Sequence, residues 1–146
     1  MGIHKNFDDA LCKKHDPESR LVMKTAVAKW NPPIILTDNP DDKGIDLMSP
    51  DGKIWVELEH RPFWKWDEFP DPQVHFPERK KRLFNYGVNF YYVILSQFYT
   101  RAGMIKSTEL VKHMTKENLV EVPNVLVPRN EDFYNIPRSS FKWTKL

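Results

Sequence analysis

Cysteine is almost absent from this chain of 146 residues: Cys12 stands alone. That excludes an internal disulfide and a cysteine-built metal cluster. Glycine is scarce too, with five residues and no cluster among them, which excludes a glycine-rich phosphate loop. No apolar run approaches the roughly 18 residues that a membrane-spanning helix needs. The opening residues, MGIHKNFDDALCKKHD, lack the apolar centre of a signal peptide. A cytoplasmic, non-secreted protein with no membrane partner is the expectation. A strong excess of one charge is also missing. The chain has 22 Lys and Arg against 20 Asp and Glu, a net charge of +2, which by itself says little about nucleic acid.

Proline and aromatic residues are plentiful, at 12 prolines and 13% Phe, Trp and Tyr. They predict many loops around an aromatic-rich body. The length suits a single domain over 1–146 that buries its core without staples. Residues 16–30, DPESRLVMKTAVAKW, read as a helix with Asp16 as N-cap and Pro17 at the first helical position. Its apolar stripe is Val22, Ala26 and Trp30, widened by Met23 and Val27. IILT at 34–37 reads as a short strand. KGIDLM and KIWVELEH read as two strands joined at Pro50-Asp51-Gly52, with Asp51-Gly52 in a type I′ turn. Residues 61–76 carry three prolines and no period, so a long loop is expected. PERKKRLFNYG at 77–87 reads as a short helix, VNFYYVILSQF at 88–98 as a central buried strand, and AGMIKS at 102–107 as another strand. Ser107 is a candidate cap for the helix TELVKHM. Beyond residue 113 the chain reads as an irregular extension with a strand signal at 119–127. These elements predict an α/β (α+β) fold: a mixed β-sheet of about four to five strands flanked by helices.

The hairpin carries the chemical signal. With Asp51-Gly52 at the turn, cross-strand pairs sum to 103, and a four-residue loop keeps that register. Leu47 then faces Val56, and Asp46 faces Glu57. Side chains alternate along a strand, so Glu57 and Glu59 share a face that Asp46 joins. Ile45, Leu47, Val56 and Leu58 point the other way, into a core. Opposed like charges destabilise a hairpin by up to about 1 kcal/mol. Mg²⁺ or Mn²⁺ held by the carboxylates would remove the conflict. Screening on a solvated face would also relieve it. The spacing leaves both readings open.

Gly44-Ile45-Asp46-Leu47, a hairpin, then Val56-Glu57-Leu58-Glu59, with a helix before and a helix and strand after, resembles the PD-(D/E)XK nuclease superfamily over roughly residues 16–112. The resemblance implies a restriction-endonuclease-like mixed sheet and Mg²⁺-dependent (or Mn²⁺-dependent) phosphodiester hydrolysis, with DNA as the first candidate partner. It implies metal ligation by Asp46, Glu57 and the backbone carbonyl of Leu58. Glu59 stands where the family usually has lysine, although some active members carry glutamate there. Two answers are open. Glu59 acts as general base or binds a second metal ion, or a lysine arrives from the following helix, Lys80 first and Lys81 second. Glu18 resembles the extra acid that some members carry on the first helix. By analogy, small nucleases of this kind act as homodimers. A non-catalytic nucleic-acid-binding module that keeps the fold is the alternative.

Outside the hairpin, Arg79, Lys80, Lys81 and Arg82 fit either phosphate contact or an ordinary solvated helix face. Four consecutive cations sweep most of a helix circumference, so only some can face one ligand. Phe63, Trp64 and Trp66 around Lys65 fit either base stacking or the cover of one end of the core. His60, His75 and His113 lack the spacing of a zinc site. His60 and Arg61 directly follow the acidic motif, where either could reach a scissile phosphate, but the three histidines read as bystanders.

Overall fold

The computed structural model describes residues 17–41, 44–123 and 130–146. Asp16, Cys12 and the end of the strand signal at 119–127 lie outside them. The first element, α1, is helical over 17–28. Its inward face is Ser19, Met23 and Val27, spaced one turn apart. Val22, Ala26 and Trp30 form a half-buried shoulder beside it, so the buried stripe is turned by one position from the expected one.

The main sheet is formed by β1 (Thr37–Asp38), β2 (Leu47–Met48), β3 (Trp55–His60), β5 (Tyr91–Leu95), β6 (Arg101–Lys106) and β9 (Lys142–Lys145), in the order β1-β2-β3-β5-β6-β9. β3 and β5 run parallel, and the other neighbours are antiparallel. A second sheet orders β4 (Gln73–Pro77), β8 (Asn130–Pro137) and β7 (Leu119–Pro123) as β4-β8-β7. The architecture is thus a mixed sheet flanked by helices, as expected, but with six strands and a three-stranded companion in place of four to five. Residues 61–76 are not all loop. Val74 and Phe76 alternate into the core and β4 pairs with β8 far along the chain. The stretch from 113 is likewise ordered into β7, β8 and β9.

Two cores lie on opposite faces of the main sheet, and β5 feeds both. Val93 and Leu95 pack with Met23, Val27, Leu47, Val56 and Leu58 beneath α1. Tyr92 and Ile94 pack with Phe76, Leu83, Leu110, Tyr134 and Ile136 beneath the second sheet. Ile45 joins this second cluster and not that of Leu47. The reason is local: β2 has only two residues, and the chain has left strand geometry before it.

The hairpin register is the one that the turn predicts, with Leu47 opposite Val56 and Met48 opposite Trp55. The loop itself is longer than a two-residue type I′ turn. Ser49 N–H bonds Ile54 O at 2.8 Å, Gly52 N–H bonds Ser49 O at 2.9 Å, and positive φ is confined to Gly52 (φ 72°) within the loop. Glycine takes that left-handed position without steric cost. Ser107 does not cap; it is the first residue of α2 (Ser107–Leu110), and its Oγ accepts the Phe90 N–H at 2.9 Å.

β9 closes the sheet by laying Trp143 across Gly103. A Cβ on Gly103 would lie 2.5 Å from the indole, which also packs edge-on to Trp64 and stacks on Phe69. Gly103→Ala is therefore expected to cost about 1–3 kcal/mol through overpacking. Urea unfolding would show a lower midpoint, and an unchanged midpoint would contradict this seating of the ring.

Candidate active site

The β2–β3 ladder stops at Leu47 and Val56, and side chains take over the pairing just beyond it. Asp46 Oδ2 accepts the Leu58 N–H at 2.8 Å. The Asp46 N–H reaches Glu57 Oε1 at 3.3 Å. In a strand the N–H and C=O of one residue point to the same edge. The Leu58 carbonyl therefore faces the same gap as the Asp46 carboxylate. The two carboxylates meet where the strands part, and the Leu58 carbonyl lies on the same edge of its strand.

Lys80 lies against this group. It sits in the 3-10 helix Glu78–Tyr86, which Pro77 precedes and Gly87 ends in a left-handed conformation. With three residues per turn, positions i and i+3 share a face, so Lys80 and Leu83 are buried while Arg79, Lys81 and Arg82 remain exposed. Leu83 anchors the helix in the core, and Lys80 is thereby aimed at the acids. Its Nζ lies 3.0 Å from Glu57 Oε2 and 3.6 Å from Glu59 Oε1, and 5.7 Å from the centroid of the Tyr92 ring.

Glu59 is held from the other side. Arg61 Nη2 donates to Glu59 at 2.6 Å, to the Tyr92 hydroxyl at 2.9 Å and to the His75 carbonyl at 2.6 Å. The Tyr92 hydroxyl donates to Glu59 as well. Burial alone would raise the Glu59 pKa, but Arg61, Lys80 and the Tyr92 hydrogen bond outweigh it and hold the carboxyl at about 2. Glu57 is pushed the other way, up to about 7, first by burial and then, against the pull of Lys80, by the Asp46 carboxylate beside it. Burial works against the charged form of Lys80, yet Glu59 and Glu57 raise its pKa above the ordinary lysine value. It is a fixed cation and not a proton acceptor.

Asp46, Glu57, Glu59 and Lys80 are therefore brought together. From α1 it is Arg20 that reaches the cluster, 3.2 Å from Asp46 Oδ1, whereas Glu18 is exposed beside the Tyr99 hydroxyl. Arg79 is exposed but close enough for its charge to act on Glu59. Lys81 is exposed on the outer face, and Lys65 lies in the loop after β3. His60 bonds the Gln97 carbonyl and stacks on Tyr99, and His113 bonds Ser140. The arginine and tyrosine partners carry sequence signals. Arg61 continues the alternation of Glu57 and Glu59 on one strand face, and a buried Tyr92 hydroxyl needs a polar partner. Arg20 carries none.

Among the described residues, no group of three or more His, Cys, Asp and Glu side chains is placed to hold a metal ion. The candidate set is smaller in side chains: Asp46, Glu57 and the Leu58 carbonyl. As hard oxygen donors these fit Mg²⁺ or Mn²⁺. The acids are also balanced by protein cations, three (Arg20, Arg61, Lys80) for three (Asp46, Glu57, Glu59). No protein-family profile matches the chain, and no curated protein matches its sequence. No helix among the described residues is long and apolar enough to cross a membrane.

Proposed function

We propose that the protein is a metal-dependent nuclease that hydrolyses phosphodiester bonds, with DNA as substrate, built on a variant of the restriction-endonuclease-like site. The observation that carries this reading is the meeting of the Asp46 and Glu57 carboxylates with Lys80 at one strand gap. Asp46, Glu57 and Leu58 would hold Mg²⁺ or Mn²⁺, which when bound supplies a Lewis acid that lowers the pKa of water and offsets charge on the phosphate. Lys80, kept cationic, stabilises and aligns the attacking water and the phosphate oxygens. Glu59 is saturated with donors and strongly acidic, so it is a poor base; it positions Lys80. The departure from the family pattern at Glu59 thus has a compensation one element away. Arg79 and Lys81, exposed on the outer face of the same helix, bind the phosphates of the flanking strand.

The balance of three acids by three cations favours a second reading, a nucleic-acid-binding module that needs no metal. Calorimetric titration with Mn²⁺ separates the two. Metal ligands bind deprotonated, and Glu57 is largely protonated below about 7. Binding is therefore expected to release up to one proton at about pH 6 and almost none at about pH 8.5. Comparing buffers of different ionisation enthalpy reads that number. Heat-silent titrations at both pH values would remove the metal-dependent reading and leave the binding module.

A further inference from the structure

We propose that the cleft between the β3–β4 loop and the β5–β6 turn binds an unpaired base, so that the substrate is single-stranded nucleic acid: a strand end, a flap or a gap. Cleavage of that substrate rests on the nuclease reading above; binding does not. The open cleft of about 600 Å³ is lined by Lys65, Trp66, Asp67, Gln97 and Phe98. Trp66 and Phe98 are each 71% exposed, and Phe63 in the same loop is 86% exposed. Single exposed rings are ordinary, but several on adjoining loops, two of them lining one cleft, mark a contact surface. Trp64, between them in sequence, turns inward and is fully buried, so it is Phe98 and not Trp64 that lines the cleft with Trp66.

The loops that carry these rings are fixed in place. Trp64 packs edge-on to Phe69 and Trp143. Gln97 N–H bonds the Trp64 carbonyl at 2.8 Å, and Trp64 N–H bonds Arg61 O at 3.0 Å. Ser96 Oγ accepts the Thr100 and Arg101 N–H groups, and Tyr99 is held at φ 59°, a left-handed conformation that a tyrosine keeps only when its surroundings impose it. The backbone that carries the rings is thus preorganised, which lowers the cost of binding.

Electrostatics fit a phosphate-linked ligand. Asp67, the acid at the cleft wall, is paired with Arg101 at 3.2 Å. Lys65 is exposed and has no ion-pair partner among the described residues. The Gln97 side chain adds an amide that can bond a base edge. Position fits as well. The cleft lies just past the carboxyl ends of β3 and β5, the parallel pair that carries Glu57, Glu59 and Tyr92, and open α/β sheets bind ligands beyond those strand ends. Arg61, which opens the loop, holds Glu59 through its side chain. One short segment therefore joins the stacking rings to the acid cluster. Every base offers a π-face to such rings when unpaired, but in continuous duplex those faces are already stacked.

The test is fluorescence anisotropy of a labelled single strand of about 12 nucleotides and of the same sequence as duplex, with the full chain in EDTA so that nothing is cleaved. The wild type is expected to bind the single strand more tightly than the duplex. Trp66→Ala and Phe98→Ala should each weaken single-strand binding at least about fivefold and change duplex binding by less than about twofold. Circular dichroism checks that these exposed substitutions leave the fold intact. Equal affinity for the two forms, or unchanged single-strand affinity in both variants, would overturn the proposal. So would a wild-type dimer in sedimentation that Trp66→Ala dissociates, since the rings would then be a contact between copies. Ring-dependent binding without Mg²⁺ cleavage removes only the nuclease reading. Cleavage indifferent to both rings removes only the cleft.

Discussion

Asp46→Asn and Glu57→Gln are each expected to lower metal-dependent cleavage about a thousandfold or more, equivalent to a barrier raised by about 4 kcal/mol. Each substitution removes a charged oxygen ligand and keeps size and one acceptor oxygen. An asparagine at position 46 still accepts the Leu58 N–H that Asp46 Oδ2 accepts at 2.8 Å. The effect on folding should be small or opposite in sign. The Glu57 pKa is raised in the folded protein to about 7 by burial and by Asp46. A carboxyl raised on folding contributes fully below its unfolded value, and that contribution is lost as pH rises through the folded value. Above about pH 7 an ionised Glu57 is therefore a cost that glutamine does not carry. Metal-free Glu57→Gln should melt no lower than the wild type at about pH 8. Inactivity with an undiminished melting temperature assigns the loss to the site; a lowered melting temperature would contradict a Glu57 carboxyl that resists ionisation.

Lys80→Ala is expected to fail in both activity and stability. Cleavage should fall by about 10² to 10³, the range for losing one electrostatic donor aimed at the reacting atoms. Stability at about pH 8 should fall by roughly 3–5 kcal/mol, because removing one partner of a buried ion pair strands the other. The group left without its 3.0 Å partner is Glu57, and Glu59 loses a 3.6 Å contact while keeping Arg61 and Tyr92. Protonation of Glu57 would relieve the stranded charge, so much of the lost stability should return at about pH 5. Urea midpoints at the two pH values read this directly. A pH-independent loss would mean that Lys80 contributes by packing and not by charge. Lys81→Ala, on the exposed face of the same helix, should leave stability within about 0.5 kcal/mol.

The acidic cluster was legible in the sequence because one short-range feature fixes it. Pro50-Asp51-Gly52 sets the turn, the turn sets the register, and alternation then carries Glu57 and Glu59 to the face of Asp46. Lys80 was legible as one of four adjacent cations; the three-residue period that selects it, through Leu83, depends on a 3-10 geometry that Pro77 and Gly87 bound but do not dictate. The second sheet was not legible. Val74 and Phe76 alternate, but prolines surround them, and their partners in β8 lie far along the chain, where local pattern carries no information about pairing. Tyr92 read as one apolar residue in a buried strand. Its hydroxyl acquires a role only because Glu59 on the neighbouring parallel strand, and Arg61 just past its end, lie beside it, a placement that the fold supplies.

The central claim is that Asp46 and Glu57 serve phosphodiester cleavage. The most direct measurement follows plasmid, linear, branched and single-stranded DNA incubated with wild type and Asp46→Asn, purified identically, in Mg²⁺, Mn²⁺ or EDTA. The predicted result is cutting by the wild type that requires the metal and is lost in the variant. Cleavage that survives Asp46→Asn or EDTA, or the absence of cleavage of every substrate in both metals, would contradict it.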